Sequence, residues 1–280
     1  MGRRRRFTAQ EDVDRYLDEK VSVGGDTPYR SGVSINDFNS FGICNRVYDP
    51  RSDQTQLFLS NGEYGYNDLI LFDQRIISSE EQRPVLEMLE TRTLALELGI
   101  AHPREGKVLI PFRTDHYLKL RRKPGGPILE VAVEVKEQKA LKGKKGRRIR
   151  EKKELLEIFF EVHGAQYLLV FKETLDQQVL KNLRFLRYGS AGNLTWKATR
   201  SIRSFAECFC QTWSRRPRST LDELAARAAN ELGFSRDTSL QLFQVAARRK
   251  FIPVDLRHRV LPILPLVKTD HPDLGVTFPW

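Results

Sequence analysis

Between Thr114 and Lys136 the chain places two carboxylates and an ammonium where they could work on one substrate. Thr114-Asp115-His116-Tyr117-Leu118 ends one extended stretch, and Glu130-Val-Ala-Val-Glu134-Val-Lys136 forms another. The intervening Arg121-Arg-Lys-Pro-Gly-Gly-Pro127 has turn chemistry, so the two stretches read as a β-hairpin. Strand alternation puts Ala132, Glu134 and Lys136 on one face and Val131, Val133 and Val135 on the opposite, core face. Buried charges are costly unless they pair or bind a cation. Asp115 and Glu134 offer the hard oxygens that hold Mg²⁺, which acidifies water, and Lys136 could steady the attacking water or a phosphate. The same Glu-x-Lys pattern is common on solvated strands, so the spacing alone does not decide between chemistry and surface.

The rest of the composition narrows the partner. The 280 residues allow one large or two modest domains, and 40% apolar residues suffice for packed cores. A net charge of +11 points to a polyanion. Cys44, Cys208 and Cys210 have neither zinc spacing nor the look of a disulfide framework, which fits a reducing cytoplasm. No apolar run reaches the ~20 residues of a membrane span. Arg3-Arg-Arg-Arg6 precedes no apolar signal region and reads as a basic arm, for phosphate or simply solvated. No Gly-rich phosphate loop ends in Lys-Ser/Thr, which argues against nucleotide hydrolysis.

Around the hairpin the expected order is helix, hairpin, helix, strand. A helix from Thr8 to Lys20 opens with a Thr8-x-x-Glu11 capping box, and a loop follows from Ser22 to Ser40. Arg46-Val-Tyr48 and Gln56 to Ser60 read as a second hairpin. Ser60-Asn-Gly-Glu63 opens a helix towards Phe72, in which Glu63 has a ready structural role as the capping-box acid. Leu86 to Ile100 reads as a helix, and Lys107 to Leu118 as the first strand of the central hairpin. Lys139, Lys142, Lys144, Lys145, Arg147, Arg148 and Arg150 read as a basic loop suited to a phosphate backbone. A helix from Glu151 to His163 would bury Leu155, Ile158, Phe159 and Val162. Gln166 to Phe171 reads as a buried strand. His116 should point away from Asp115, His102 reads as a turn residue, and His163, His258 and His271 share no ligand spacing.

The segment from Arg46 to Thr174 resembles TnsA, the endonuclease subunit of heteromeric TnsA/TnsB transposases. The matching pieces are Arg46-Val-Tyr48, Leu59-Ser60-x-x-Glu63, Glu81-Gln82-x-Pro84, Gly99-Ile-x-His102-Pro103, Thr114-Asp115, Val133-x-Val135-Lys136 and Val170-Phe171-Lys-Glu-Thr174. The resemblance implies a restriction-endonuclease-like α/β fold of the PD-(D/E)xK superfamily over residues 1–173, a mixed sheet flanked by helices. It implies that Glu63, Asp115, Glu134 and Lys136 are catalytic, the three acids holding Mg²⁺. Two ions are expected, with Mn²⁺ able to substitute. Glu134 stands where the family's better-known pattern has glutamine, and Glu80 where it has arginine. Gly62, Gly65 and Asn67 weaken the helix that carries Glu63, which leaves Asp68 as a possible substitute. The implied partners are transposon-end DNA, a TnsB-like transposase and a TnsC-like AAA+ regulator, with this subunit cutting the 5′ strands.

Residues 174–280 read as a mainly helical, winged-helix-like domain with an extended tail. Helices are expected around Leu175–Leu186 and Ile202–Phe209, from Thr220-Leu-Asp-Glu223 to Leu232, and from Ser235 through Ala246, followed by an extended wing at Phe251–Asp255. Gln241, Gln244, Arg248 and Arg249 would face DNA, unless the region docks protein instead. The Pro-punctuated segments 261–267 and 274–280 either lie on this domain or dock into a partner. Two other readings fit: a stand-alone repair or restriction nuclease, and a non-catalytic winged-helix adaptor.

Overall fold

A computed structural model describes residues 7–22, 29–33, 44–49, 52–188 and 199–280, apart from the side chains of Lys144, Lys145, Tyr188 and Thr199. The arginine arm 3–6 and most of the Ser22–Ser40 loop lie outside the described residues. The chain divides into two compact units, 1–174 together with Trp280, and 175–279. Among the described residues no helix is long and apolar enough to cross a membrane.

The first unit is mixed α/β. Its elements are α1 (Gln10–Lys20), β1 (Val21–Ser22), β2 (Arg30–Ser31), β3 (Asn45–Asp49), β4 (Gln54–Phe58), α2 (Asn61–Phe72), β5 (Ile76–Pro84), α3 (Met88–Glu97), β6 (Arg104–Glu105), β7 (Val108–Leu109), β8 (Arg113–Leu120), β9 (Leu129–Lys136), α4 (Gly143–Val162) and β10 (Gln166–Phe171). The central sheet runs β10-β9-β8-β5. β10 is parallel to β9, whereas β9–β8 and β8–β5 are antiparallel. Helices flank it. Leu155, Leu156, Phe159 and Phe160 of α4 form one core cluster with Tyr117, Ala132 and Tyr167 of the sheet and Ala95 of α3. On the face of His116, Tyr66 of α2 and Phe58 of β4 contact the imidazole.

The central hairpin forms as its turn chemistry predicts, with His116 opposite Val133 and Leu120 opposite Leu129. Its first strand is shorter than expected. Residues 104–109 fold back as the small β6–β7 ladder, with Gly106 in the left-handed region at φ 67°. Both sides of β9 are buried from Val131 to Val135, so the charged face is covered rather than solvated.

Residues 76–84, which the sequence assigns to no element because Ser78-Ser-Glu-Glu-Gln-Arg83 is polar, form β5, the second neighbour of β8. Other expectations need correction. The basic run is no loop: after a 3-10 turn at Gln138–Leu141, α4 begins at Gly143. Its cations are partly offset along the helix, as by Arg147 to Glu151 at 2.6 Å. The buried stripe of α4 is Leu155, Leu156, Phe159 and Phe160, while Ile158 and Val162 are exposed. In α1 the capping acid is Asp12, which accepts from the Thr8 and Ala9 backbone nitrogens and from the Thr8 hydroxyl at 2.8 Å.

The helix that carries Glu63 forms despite its glycines because packing outweighs propensity. A Cβ on Gly62 would stand 3.3 Å from Val135 Cγ1, so the glycine lets α2 approach β9 closely. Ser60 caps α2 by accepting from the Glu63 backbone nitrogen at 3.2 Å.

The second unit holds α5 (Gln177–Tyr188), α6 (Thr199–Arg215), α7 (Leu221–Glu231) and α8 (Arg236–Arg248). Thr220 and Glu223 form the expected capping box on α7. Residues 251–279 follow as an irregular segment whose only bridges are the isolated pairs Thr220–Pro265 and Val254–Lys268, so no two-stranded wing ladder is formed there. Asn182 pins this segment, donating to the Leu256 and His258 carbonyls at 2.7 Å each. Val260, Leu266, Leu274 and Val276 are buried, so most of the tail lies in its own unit.

The tight seat of Gly62 makes a testable pair. Gly62→Ala sets about 1 kcal/mol of helix propensity against a crowded methyl and is expected to leave the melting temperature within about 2 °C. Gly62→Val overpacks the α2–β9 contact and is expected to cost about 1–3 kcal/mol. A Gly62→Val protein that melts at the wild-type temperature in scanning fluorimetry would refute the close approach.

Candidate active site

The site sits where the ladders of β8 open. Pairing between β8 and β9 stops at His116 opposite Val133, and Asp115 lies one residue beyond. On the other side, β5 pairs through Glu81–His116 and resumes at Arg83–Thr114, leaving Gln82 facing Asp115 without a ladder pair. Asp115 therefore projects into a notch instead of a closed sheet. One of its oxygens accepts from the Val135 backbone nitrogen at 2.7 Å, which supplies the missing link to β9.

Lys136 crosses this notch. Its ammonium lies 3.2 Å from Asp115 Oδ2 and 2.9 Å from Glu134 Oε1. Burial alone would lower its pKa, but the two carboxylates outweigh that and hold it above the ordinary lysine value. Glu134 is buried and fully engaged. Oε2 receives Lys152 at 2.8 Å and the Tyr167 hydroxyl at 2.6 Å. Burial would raise its pKa, yet Lys152 and then Lys136 pull it down to about 2.

Glu63 enters from the N-terminus of α2. Its capping role is real: it accepts from Ser60 Oγ at 2.8 Å and from the Leu59 backbone nitrogen at 3.1 Å. The same carboxylate also reaches the notch. Gln82 Nε2 donates to Glu63 Oε2 at 3.0 Å and lies 3.5 Å from Asp115 Oδ1. Burial, and next the Asp115 charge, push Glu63 up to about 7. Asp68, five residues on, projects about 140° around the helix from Glu63.

All four expected residues thus meet in one place, divided into an acid pair, Glu63 and Asp115, and an ion-paired knot of Glu134, Lys136 and Lys152. Among the described residues no three His, Cys, Asp or Glu groups form a ready-made ligand cluster; the third acid is turned to the lysines. The donor chemistry of the acid pair fits Mg²⁺: two hard carboxylates approach one amide, and the charge of one already raises the pKa of the other, a repulsion that a divalent cation would relieve. A cavity of about 430 Å³ is lined by Asp115, Glu134 and Lys136 together with Arg113, Arg148 and Lys152 and the apolar Ile110 and Phe112.

Two site residues escaped the sequence reading. Lys152 follows Glu151 in what reads as an ordinary charged helix, and Gln82 lies in a strand too polar to recognise. The Glu81-Gln82-x-Pro84 piece was a pointer to the second. Arg147, Arg148 and Arg150 are exposed at the start of α4, as is Lys142 just before it, and Arg148 Nη1 reaches the Ala101 carbonyl at 3.3 Å. Arg248 and Arg249 are half-buried in the second unit. Gln244 is not available to read DNA: it is buried and donates to the Phe185 carbonyl at 2.9 Å. His116 is fully buried between Phe58 and Tyr66, pushed by burial down to about 4, and so stays neutral outside the notch. Compared with protein-family models and with curated proteins, the chain matches none.

The two acids respond oppositely to pH. Glu63 rises from 4.5 to about 7 on folding, so its stabilisation is complete below pH 4.5 and is lost as pH rises through 7. Glu134 falls from 4.5 to about 2, so its stabilisation is present above pH 4.5 and is lost as pH falls towards 2. With divalent ions chelated, Glu63→Gln is expected to melt above wild type at pH 8, by about 1 kcal/mol or more. Lys152→Met is expected to melt below wild type at pH 8, with the gap narrowing as pH falls from 4.5 towards 3. Scanning fluorimetry from pH 3 to 8 reads both, and shifts of the reverse sign would contradict the charge assignment.

Proposed function

We propose that this chain is a Mg²⁺-dependent DNA endonuclease of the restriction-endonuclease-like, PD-(D/E)xK type, and that it serves a cut-and-paste transposase as its TnsA-like subunit. The observation that carries the reading is the meeting of Glu63, Asp115, Glu134 and Lys136 where the β8 ladders open. Further support comes from the exposed cations at and before the start of α4, of which Arg148 lines the same cavity.

In this reading the acid pair would hold Mg²⁺, whose contribution is Lewis acidity towards water and phosphate. Lys136, fixed between Asp115 and Glu134, offsets negative charge that develops on the phosphate. Glu134 sets the position of that ammonium, and Lys152 and Tyr167 set the position of Glu134. Arg148 at the cavity, with Lys142, Arg147 and Arg150 near it in sequence, holds the phosphate backbone, a sequence-independent grip weakened by salt. The products are a 3′ hydroxyl and a 5′ phosphate. The transposase role rests on the resemblance: this subunit cuts the 5′ strands at transposon ends, a TnsB-like partner cuts and joins the 3′ strands, and a TnsC-like regulator licenses both. A role in binding DNA or protein is assigned to the second unit on its helix-turn-helix order, α7 followed by α8.

Asp115→Ala is expected to abolish Mg²⁺-dependent strand cleavage while leaving DNA affinity within about threefold, since phosphate contacts elsewhere carry the binding. The assay is nicking of transposon-end DNA in Mg²⁺, with and without the TnsB-like partner, beside a gel-shift titration. Cleavage by Asp115→Ala at the wild-type rate would sink the proposal. Full cleavage of arbitrary DNA without a partner would sink the transposase assignment but not the nuclease one.

A further inference from the structure

The same notch contains a residue whose conformation is otherwise hard to account for. Gln82 has φ 50°, the left-handed region that side chains other than glycine enter reluctantly. It does so in the middle of a strand, where extended backbone would be cheaper. Such strain persists only where the surroundings over-determine it. Here they do. Arg113 Nη1 donates to the Gln82 carbonyl at 2.8 Å and to the Ser31 carbonyl at 2.9 Å. The Tyr29 hydroxyl donates to the neighbouring Glu81 carbonyl at 2.7 Å. Regular pairing resumes on either side, at Glu81–His116 and Arg83–Thr114.

The strain delivers one thing: a buried amide aimed between two acids. The Gln82 side chain bridges Glu63 of α2 and Asp115 of β8, groups that come from separate elements and repel one another. Ser60 and the Leu59 nitrogen already hold the Glu63 carboxylate at the α2 N-terminus, and among the described residues it is Gln82 that ties the same carboxylate across to the central sheet. We infer that Gln82 is the positioning residue of the site, holding the Glu63 and Asp115 carboxylates at a spacing that one divalent cation can share. The inference rests on the nuclease reading above. Gln82 acts through the two acids and touches no substrate.

The experiment uses the full chain and two substitutions. Gln82→Met keeps the shape and loses the donor. Gln82→Gly suits the left-handed backbone and removes the bridge altogether, so it is expected to fold and to melt no lower than wild type. Mn²⁺ binding is measured by calorimetry without DNA, and nicking of transposon-end DNA in Mn²⁺ beside the TnsB-like partner gives kcat and KM. The expected result is an Mn²⁺ affinity weakened about tenfold or more in both variants, as for other groups that orient metal ligands. With it, kcat is expected to fall while KM for DNA stays within about twofold. Wild-type affinity in both variants would overturn the inference and leave the nuclease reading standing. No Mn²⁺ binding by the wild-type chain would overturn both.

Discussion

Like charges kept out of water must be given partners, and the first unit is arranged around that constraint. Asp115 is placed where its backbone pairs with neither β5 nor β9, and its carboxylate accepts the Val135 backbone nitrogen instead. Three different solutions surround it: a backbone amide from Val135, the ammonium of Lys136 and the side-chain amide of Gln82. Glu134 is satisfied by lysines and a tyrosine and is held strongly ionised, whereas Glu63 accepts from the neutral donors Leu59, Ser60 and Gln82 and is pushed up to about 7 by burial and the Asp115 charge. The asymmetry separates an ion-paired knot, one carboxylate between two ammonium groups, from an acid pair whose charge is offset only on the Asp115 side, by Lys136. It is the second part that a cation would complete.

The fold serves this arrangement by bringing elements from distant parts of the chain to one edge. The parallel β9–β10 pair stacks Tyr167 on the side of Glu134, and α4 runs over the same face, so that Lys152 arrives at the knot while the arginines of its first turns remain outside. On the far face α2 is drawn close by Gly62, which brings its N-terminal acid round to the notch. The helix N-terminus, with its unsatisfied backbone N–H groups, is a suitable place for a carboxylate. Capping and site membership are therefore not rival explanations of Glu63; one side chain does both.

How much of this the sequence discloses depends on whether local chemistry or tertiary contact decides the element. The central hairpin was legible because a Pro-Gly-Gly turn separates two runs of alternating pattern, and the meeting of Asp115 with Glu134 and Lys136 follows from it. The α7 capping box was legible because it is entirely local. β5 was not, since Ser78 to Arg83 has a polar composition and becomes a strand only by pairing with β8. The start of α4 was misleading for a physical reason: clustered like charges and two glycines argue against a helix, yet the helix propagates into them from its well-packed stripe. Gln244 shows the opposite error, a polar residue on a helix taken as a surface reader that instead satisfies a buried carbonyl. Lys152 and Gln82 depend on register and approach, which residue types do not encode. The resemblance to TnsA supplied the one pointer to Gln82, although not its role.

The proposed function requires above all that Glu63 and Asp115 share an ion. Anomalous diffraction from crystals grown or soaked with Mn²⁺ addresses it directly. The expected result is a peak about 2.1–2.3 Å from carboxylate oxygens of both Glu63 and Asp115, with the Lys136 ammonium retained beside it. A fully occupied peak elsewhere in the chain, or none in the notch at millimolar Mn²⁺, would contradict the account.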